Sequence, residues 1–82
     1  MPSVPSKVPD GSTASDEEMQ IAMIAMSAFE TDTNNYLKCL AFEVSQERLS
    51  TEIEALLHGE ALKRHQAAVT RFNAQMRLYM AR

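Results

Sequence analysis

A chain of 82 residues with a single cysteine is one domain at most and cannot form an intrachain disulfide. Its formal net charge of −3 argues against the basic stripe of a nucleic-acid binding protein. A chain this short buries a small core, and disulfides, a metal or oligomerisation usually supply the missing stability. Because the sequence offers neither a disulfide nor a good set of metal ligands, we expect oligomerisation or docking onto a larger assembly.

The first 14 residues are predicted to form an arm without helix. They contain all three prolines of the chain, which oppose a helix and favour extended backbone. Asp10-Gly11 is typical of a turn. We therefore divide the chain into a Pro/Ser-rich arm over 1–14, extended or disordered, and a helical hairpin over 15–82.

The first predicted helix covers about residues 15–48. Ser15 and Glu18 form a capping box pattern, and three acids in the first turn suit the positive end of the helix dipole. Phe29 and Tyr36 flank the apolar stripe, so the apolar face is broad. The stripe has the spacing of one helix face and consists of Met19, Met23, Met26, Glu30, Thr33, Leu37, Leu40 and Val44.

The second predicted helix covers about residues 51–81. Thr51 and Glu54 fit a second capping box, although neither glycine nor proline marks the preceding turn. Gly59 lies inside this helix and lowers its stability by roughly 1 kcal/mol relative to alanine. Either a neighbouring backbone approaches closely at this position, or the glycine has no structural reason. The apolar stripe of this helix consists of His58, Leu62, His65, Val69, Phe72, Met76 and Tyr79.

Two amphipathic helices of similar length predict an all-α fold, a long antiparallel two-helix hairpin with coiled-coil-like packing. One unbroken helix from 15 to 81 is the structural alternative. A lone hairpin has little interior, so we expect it to pair into a four-helix bundle or to dock on a larger complex. The expected anchors of that interface are Met19, Met23, Met26, Phe29, Tyr36, Leu40, Phe72, Met76 and Tyr79.

The sequence contains no glycine-rich phosphate loop and no Cys-x-x-Cys pair, so we predict a protein that is not an enzyme and has no cofactor. A metal- or redox-responsive bundle using Cys39, His58 and His65 is the alternative. The two histidines lie two turns apart, whereas metal-binding pairs on one helix are three or four positions apart, so we predict no metal site. Cys39 is also the candidate for an intermolecular disulfide in an oxidising compartment.

The chain resembles a largely uncharacterised family of small proteobacterial proteins. The residues that carry the resemblance are Pro9-Asp10-Gly11, Ala14-Ser15, Glu18-Met19, Tyr36-Leu37, Cys39-Leu40, His58, Arg71-Phe72-Asn73, Gln75, Arg77, Tyr79 and Ala81-Arg82. The ending resembles the family motif R-F-N-x-Q-x-R-x-[FY]-x-A-R, with Met80 where lysine is usual. Family members carry a signal peptide before a proline-rich spacer and a helical hairpin. The resemblance implies export to the periplasm, and it implies no activity and no site residues.

We therefore predict a small exported interaction or structural subunit that binds a protein partner or a second copy through its helix faces. A cytosolic adaptor or phage-type assembly protein is a further alternative. No apolar run is long enough to cross a bilayer, so no transmembrane segment is expected. The predicted location is the periplasm, or the cytoplasm if Met1 is the natural start.

Overall fold

A computed structural model describes residues 1–5 and 8–82, and two antiparallel helices make up most of that part of the chain. Helix α1 spans Asp16–Ser45 and helix α2 spans Thr51–Ala81. The predicted all-α hairpin is confirmed, and the alternative of one unbroken helix is wrong. The molecule measures 52 × 17 × 16 Å. Its radius of gyration of 15.7 Å exceeds the value of about 12 Å expected for a compact domain of this length.

Both helices begin at a serine whose side chain caps a backbone amide. At α1 the predicted capping box is present, because Ser15 Oγ accepts from the Glu18 amide and the Glu18 carboxylate accepts from the Ser15 amide, both at 3.1 Å. At α2 the cap is Ser50, whose Oγ accepts from the Ile53 amide at 3.2 Å. The predicted box starting at Thr51 is wrong by one residue, since Thr51 already has helical backbone and is the first residue of α2.

The connection between the helices is a Schellman motif built without glycine. The Arg48 amide donates to the Glu43 carbonyl and the Glu47 amide donates to the Val44 carbonyl, both at 3.0 Å. Glu47 takes the left-handed backbone conformation that the motif requires, with φ of 59°. These bonds end α1 at Ser45, three residues before the predicted end. The side chain of Arg48 also forms two bonds to the Glu43 carboxylate, at 2.7 and 3.0 Å.

The two helices meet along an inter-helix seam whose register is set by the stacked rings of Phe29 and His65, 5.7 Å apart between centroids. At other positions along the seam, a smaller residue of one helix lies opposite a larger residue of the other. Counted from Phe29 and His65, this register places Ala22 opposite Phe72, Met26 opposite Ala68, and Thr33 opposite Ala61. Small residues let the two backbones approach while larger neighbours fill the remaining space.

The predicted stripes are partly right: Met19, Thr33 and Leu40 are buried in the seam, whereas other stripe members lie one position beside it. In α1, Ala22 and Phe29 are buried, whereas Met23 is exposed. Glu30, another member of the α1 stripe, is also exposed. In α2, Ala61 and Ala68 are buried, whereas the stripe predicted Leu62 and Val69 at the contact between the helices. The predicted stripes contained the larger neighbouring side chains Met23, Leu62 and Val69. Alanine occupies the line of contact instead, because the helices lie too close together for larger side chains there.

The end of the predicted arm is a turn that packs on α2. The amides of Thr13 and Ala14 donate to the Asp10 carbonyl at 3.1 and 2.8 Å, and Ala14 is buried. The segment from 10 to 14 is therefore held in place rather than extended. The part of the arm prediction that concerns Ser6 and Lys7 lies outside the described residues.

Candidate interaction surface

One side of the hairpin carries a row of apolar residues beside the seam. We call this row the apolar flank, and it consists of Met23, Leu37 and Val44 from α1 with Leu62, Val69 and Met76 from α2. A groove of about 230 Å³ confirms that the two rows share this side, because its lining includes both Met23 and Val69. The apolar flank results from the heptad spacing of the seam, which places these positions next to it on each helix.

The apolar flank is accessible and almost free of charge. Met23 is 50% exposed and Leu62 is 46% exposed, while the other four members are half-buried. Glu30 interrupts the row and also lines the groove. The row that lies next to the flank on the outside is uncharged and consists of Gln20, Ser27, Asn34, Ala41, Gly59, Gln66, Asn73 and Met80. Taken together, the flank and this outer row contain a single charged residue, Glu30, over residues 20–44 of α1 and 55–80 of α2.

The opposite side of the hairpin carries charged residues together with exposed apolar ones, among them Ile21 at 60% and Leu78 at 48% exposure. Glu18 and Asp32 of α1 occupy the row that faces Arg64 and Arg71 of α2, and we call this side the charged flank. A larger open groove of about 730 Å³ lies there, lined by Glu18 and Arg71 together with apolar residues of the arm and of α1. These charges distinguish this side from the apolar flank, where Glu30 is the one charge.

The predicted interface anchors divide into three groups. Met19, Phe29 and Leu40 are buried in the seam, at 2%, 4% and 7% exposure, so they stabilise the hairpin and are unavailable to a partner. Met23 is exposed. The half-buried anchors are Met26, Tyr36, Phe72, Met76 and Tyr79, of which Met76 belongs to the apolar flank.

Four members of the apolar flank were not among the predicted anchors, namely Leu37, Val44, Leu62 and Val69. The stripes placed all four at the contact between the helices. The signal that finds the flank in the sequence is the lack of charge in two neighbouring heptad rows, because an exposed helix surface normally carries charged residues.

The structure does not gather Cys39, His58 and His65 into one site. Cys39 is an exposed free thiol in the row of Asp32, on the charged flank. His65 stacks on Phe29 with 25° between the ring planes. Among residues 1–5 and 8–82 no group of three or more potential metal ligands occurs.

The open end of the hairpin is closed by polar contacts that we call the N-terminal clasp: Gly11, Asp16, Gln75, Tyr79 and Arg82. The Gly11 amide donates to Gln75 Oε1 at 2.9 Å, and Arg82 Nη1 donates to the Gly11 carbonyl at 3.2 Å. The Tyr79 hydroxyl donates to the Asp16 carboxylate, and the Arg82 guanidinium lies 4.9 Å from the Tyr79 ring centroid. The clasp joins both termini of the hairpin.

Hydrogen bonds shift the pKa of four side chains, those of Asp10, Glu43, Arg48 and Tyr79. The bond that Tyr79 donates to Asp16 raises the pKa of the Tyr79 hydroxyl, with a smaller contribution from desolvation. Bonds from the hydroxyl and the amide of Ser12 lower the pKa of Asp10, and the bond from Arg48 lowers the pKa of Glu43. Each shift belongs to a turn, a cap or the clasp.

Neither helix in the described part of the chain has a stretch that is long and apolar enough to cross a membrane. Comparison of the sequence with protein-family models, with curated proteins and with solved structures finds no match. The resemblance to the proteobacterial hairpin family therefore stays a prediction.

Proposed function

We propose that this chain is a non-enzymatic interaction or structural subunit that binds protein through one side of its hairpin. The observation that carries the proposal is the apolar flank, where large apolar side chains stand beside the seam with Glu30 as the one interrupting charge. Contiguous exposed apolar surface on a small protein is typical of an interaction site.

The small interior of the hairpin supports the same proposal. The accessible surface of the whole chain, 5754 Å², exceeds the value of about 4900 Å² expected for a compact protein of this mass. The seam is also partly polar, since it includes Thr33, His65 and Gln75. A narrow and partly polar seam gives less hydrophobic stabilisation than an apolar core of equal length, so covering the flank would add stability.

A photo-crosslinking experiment tests this function. Leu62 is replaced by the photoreactive residue p-benzoylphenylalanine in the full chain, expressed in the source cells and illuminated. Lys38, on the outer side of α1, receives the same replacement as the matched control. We expect protein adducts from position 62 and none from position 38. Absence of any adduct at position 62, together with a folded monomer in solution, would contradict the proposal.

The location we propose for this activity is the periplasm. The support is the resemblance described above, whose family members carry a signal peptide before a proline-rich spacer. Immunoblotting of periplasmic and cytoplasmic fractions from source cells tests it, and we expect the chain in the periplasmic fraction. Recovery with cytoplasmic marker proteins would instead favour the cytosolic adaptor.

A further inference from the structure

We propose that the partner of the apolar flank is a second copy of this chain, so that two hairpins form a four-helix bundle. This proposal rests on the proposed function and names its partner. The interface would be isologous, with the apolar flank of one hairpin covering the apolar flank of the other around a twofold axis.

The surface area of the hairpin fits one such interface. The whole chain, arm included, exposes about 800 Å² more than a compact protein of its mass. A stable protein–protein interface of standard size buries about 800 Å² on each partner. Pairing along one flank would therefore bring the exposed surface per chain down to that of a compact protein.

The length and charge of the flank favour a second hairpin over an unrelated partner. The flank follows most of both helices, from Met23 and Met76 at the open end to Val44 near the connection, in a molecule 52 Å long. A partner must therefore be an elongated body with an uncharged face of its own, and a second copy has both properties. The charged flanks of the two copies would stay in water.

Gly59 supplies an independent observation on the same side. It lies in the uncharged outer row of α2, and a Cβ added there would meet nothing within 4 Å. Nothing inside the hairpin therefore requires a glycine at a position where glycine weakens the helix. The close approach of another chain's backbone explains it, since glycine presents the smallest surface to a neighbouring helix.

Glu30 sets a limit on the strength of this dimer. It lies near the middle of the apolar flank, so a twofold arrangement that joins the two flanks brings both copies of Glu30 into the interface. Like charges in an interface oppose association. The dimer should consequently become tighter when Glu30 is replaced by glutamine.

Sedimentation equilibrium of the full chain over a concentration series tests the proposal. We expect a reversible dimer whose mass does not change with reductant, because Cys39 lies on the charged flank. Leu62→Glu should weaken the dimer at least about tenfold, as expected for a central apolar contact. Leu56→Glu is the matched control, because Leu56 is 74% exposed on the outer side of α2, and its dimer should remain within about threefold of the wild type.

Two further variants report on the geometry of the interface. Glu30→Gln should tighten the dimer about threefold or more. Gly59→Ala should raise the melting temperature of the dissociated chain by about 4–8 °C and weaken the dimer several-fold. Circular dichroism of each variant establishes that the hairpin is still folded. A dimer constant unchanged by Gly59→Ala would overturn the placement of this glycine in the contact.

The outcomes separate this proposal from the proposed function. A chain that stays monomeric while position 62 crosslinks to a different protein would overturn the second-copy partner and leave the interaction function standing. A dimer that reductant dissociates, or one that Leu56→Glu weakens as much as Leu62→Glu, would overturn the apolar flank as its interface. A monomer without any adduct would overturn both proposals.

Discussion

The backbone of Gly11 lies against the backbone of Gln75, 64 positions later in the chain. A Cβ on Gly11 would lie 1.8 Å from the Gln75 carbonyl oxygen, a distance that no side chain can occupy. The described glycines have no positive φ, so the requirement for glycine here comes from close approach and not from backbone conformation. The contact holds the turn at 10–14 on the end of α2 and thereby closes the open end of the hairpin.

Gly11→Ala should therefore detach the turn. The variant loses the bond to Gln75, the bond from Arg82 and the burial of Ala14, and we expect a loss of about 1–3 kcal/mol in the free energy of unfolding. Urea unfolding followed by circular dichroism measures it. Gly59→Ala is the control and, at concentrations where the chain is monomeric, should gain about 1 kcal/mol. Equal stability of Gly11→Ala and the wild type would show that the close approach is absent in solution.

The clasp should weaken in alkali because of Tyr79. Its bond to Asp16 favours the neutral hydroxyl and raises its pKa in the folded chain above the usual value of about 10. The stabilisation is therefore fully present below that usual pKa and is lost as the pH rises through the folded pKa. Tyrosinate absorbance during a pH titration measures the shift, and the difference from Tyr79→Phe isolates the signal. A Tyr79 that titrates at the ordinary value would contradict the bond.

The position of Ala68 in the seam, where the stripe predicted Val69, can be tested with two neighbouring alanines. Ala68 is 3% exposed and packed between the helices, so Ala68→Leu should overpack the seam and cost about 1–3 kcal/mol of unfolding free energy. Ala67 is exposed, and Ala67→Leu should change stability by no more than about 0.5 kcal/mol. Thermal or urea unfolding compares the two variants. A larger loss from the exposed position would mean that the register is wrong.

The connection between the helices offers a stabilising substitution. Glu47 has φ of 59°, a conformation that costs side-chain-bearing residues energy and that glycine adopts freely. Glu47→Gly should therefore raise the free energy of unfolding by about 0.5–1 kcal/mol. Gln46→Gly is the control, because Gln46 has ordinary backbone with φ of −92° and should lose stability. Identical effects of the two glycines would contradict the left-handed position of Glu47.

Local signals predicted most of the secondary structure. The α1 capping box follows from Ser15 and Glu18 because its bonds join residues three positions apart, and both bonds are present. The start of α2 was predicted within one residue for the same reason. The end of α1 was predicted less well, because the left-handed residue that ends it is Glu47 and no glycine or proline announced it.

The sequence by itself determined that the chain forms two helices and roughly which side of each turns inward, because helical spacing and caps depend only on neighbours along the chain. It also contained the uncharged rows that distinguish one flank. Only the tertiary structure decided between Ala68 and Val69, since the distance between two helices selects side-chain size at the line of contact. It alone brought Gly11 to Gln75, because a contact between distant residues leaves no trace in local spacing.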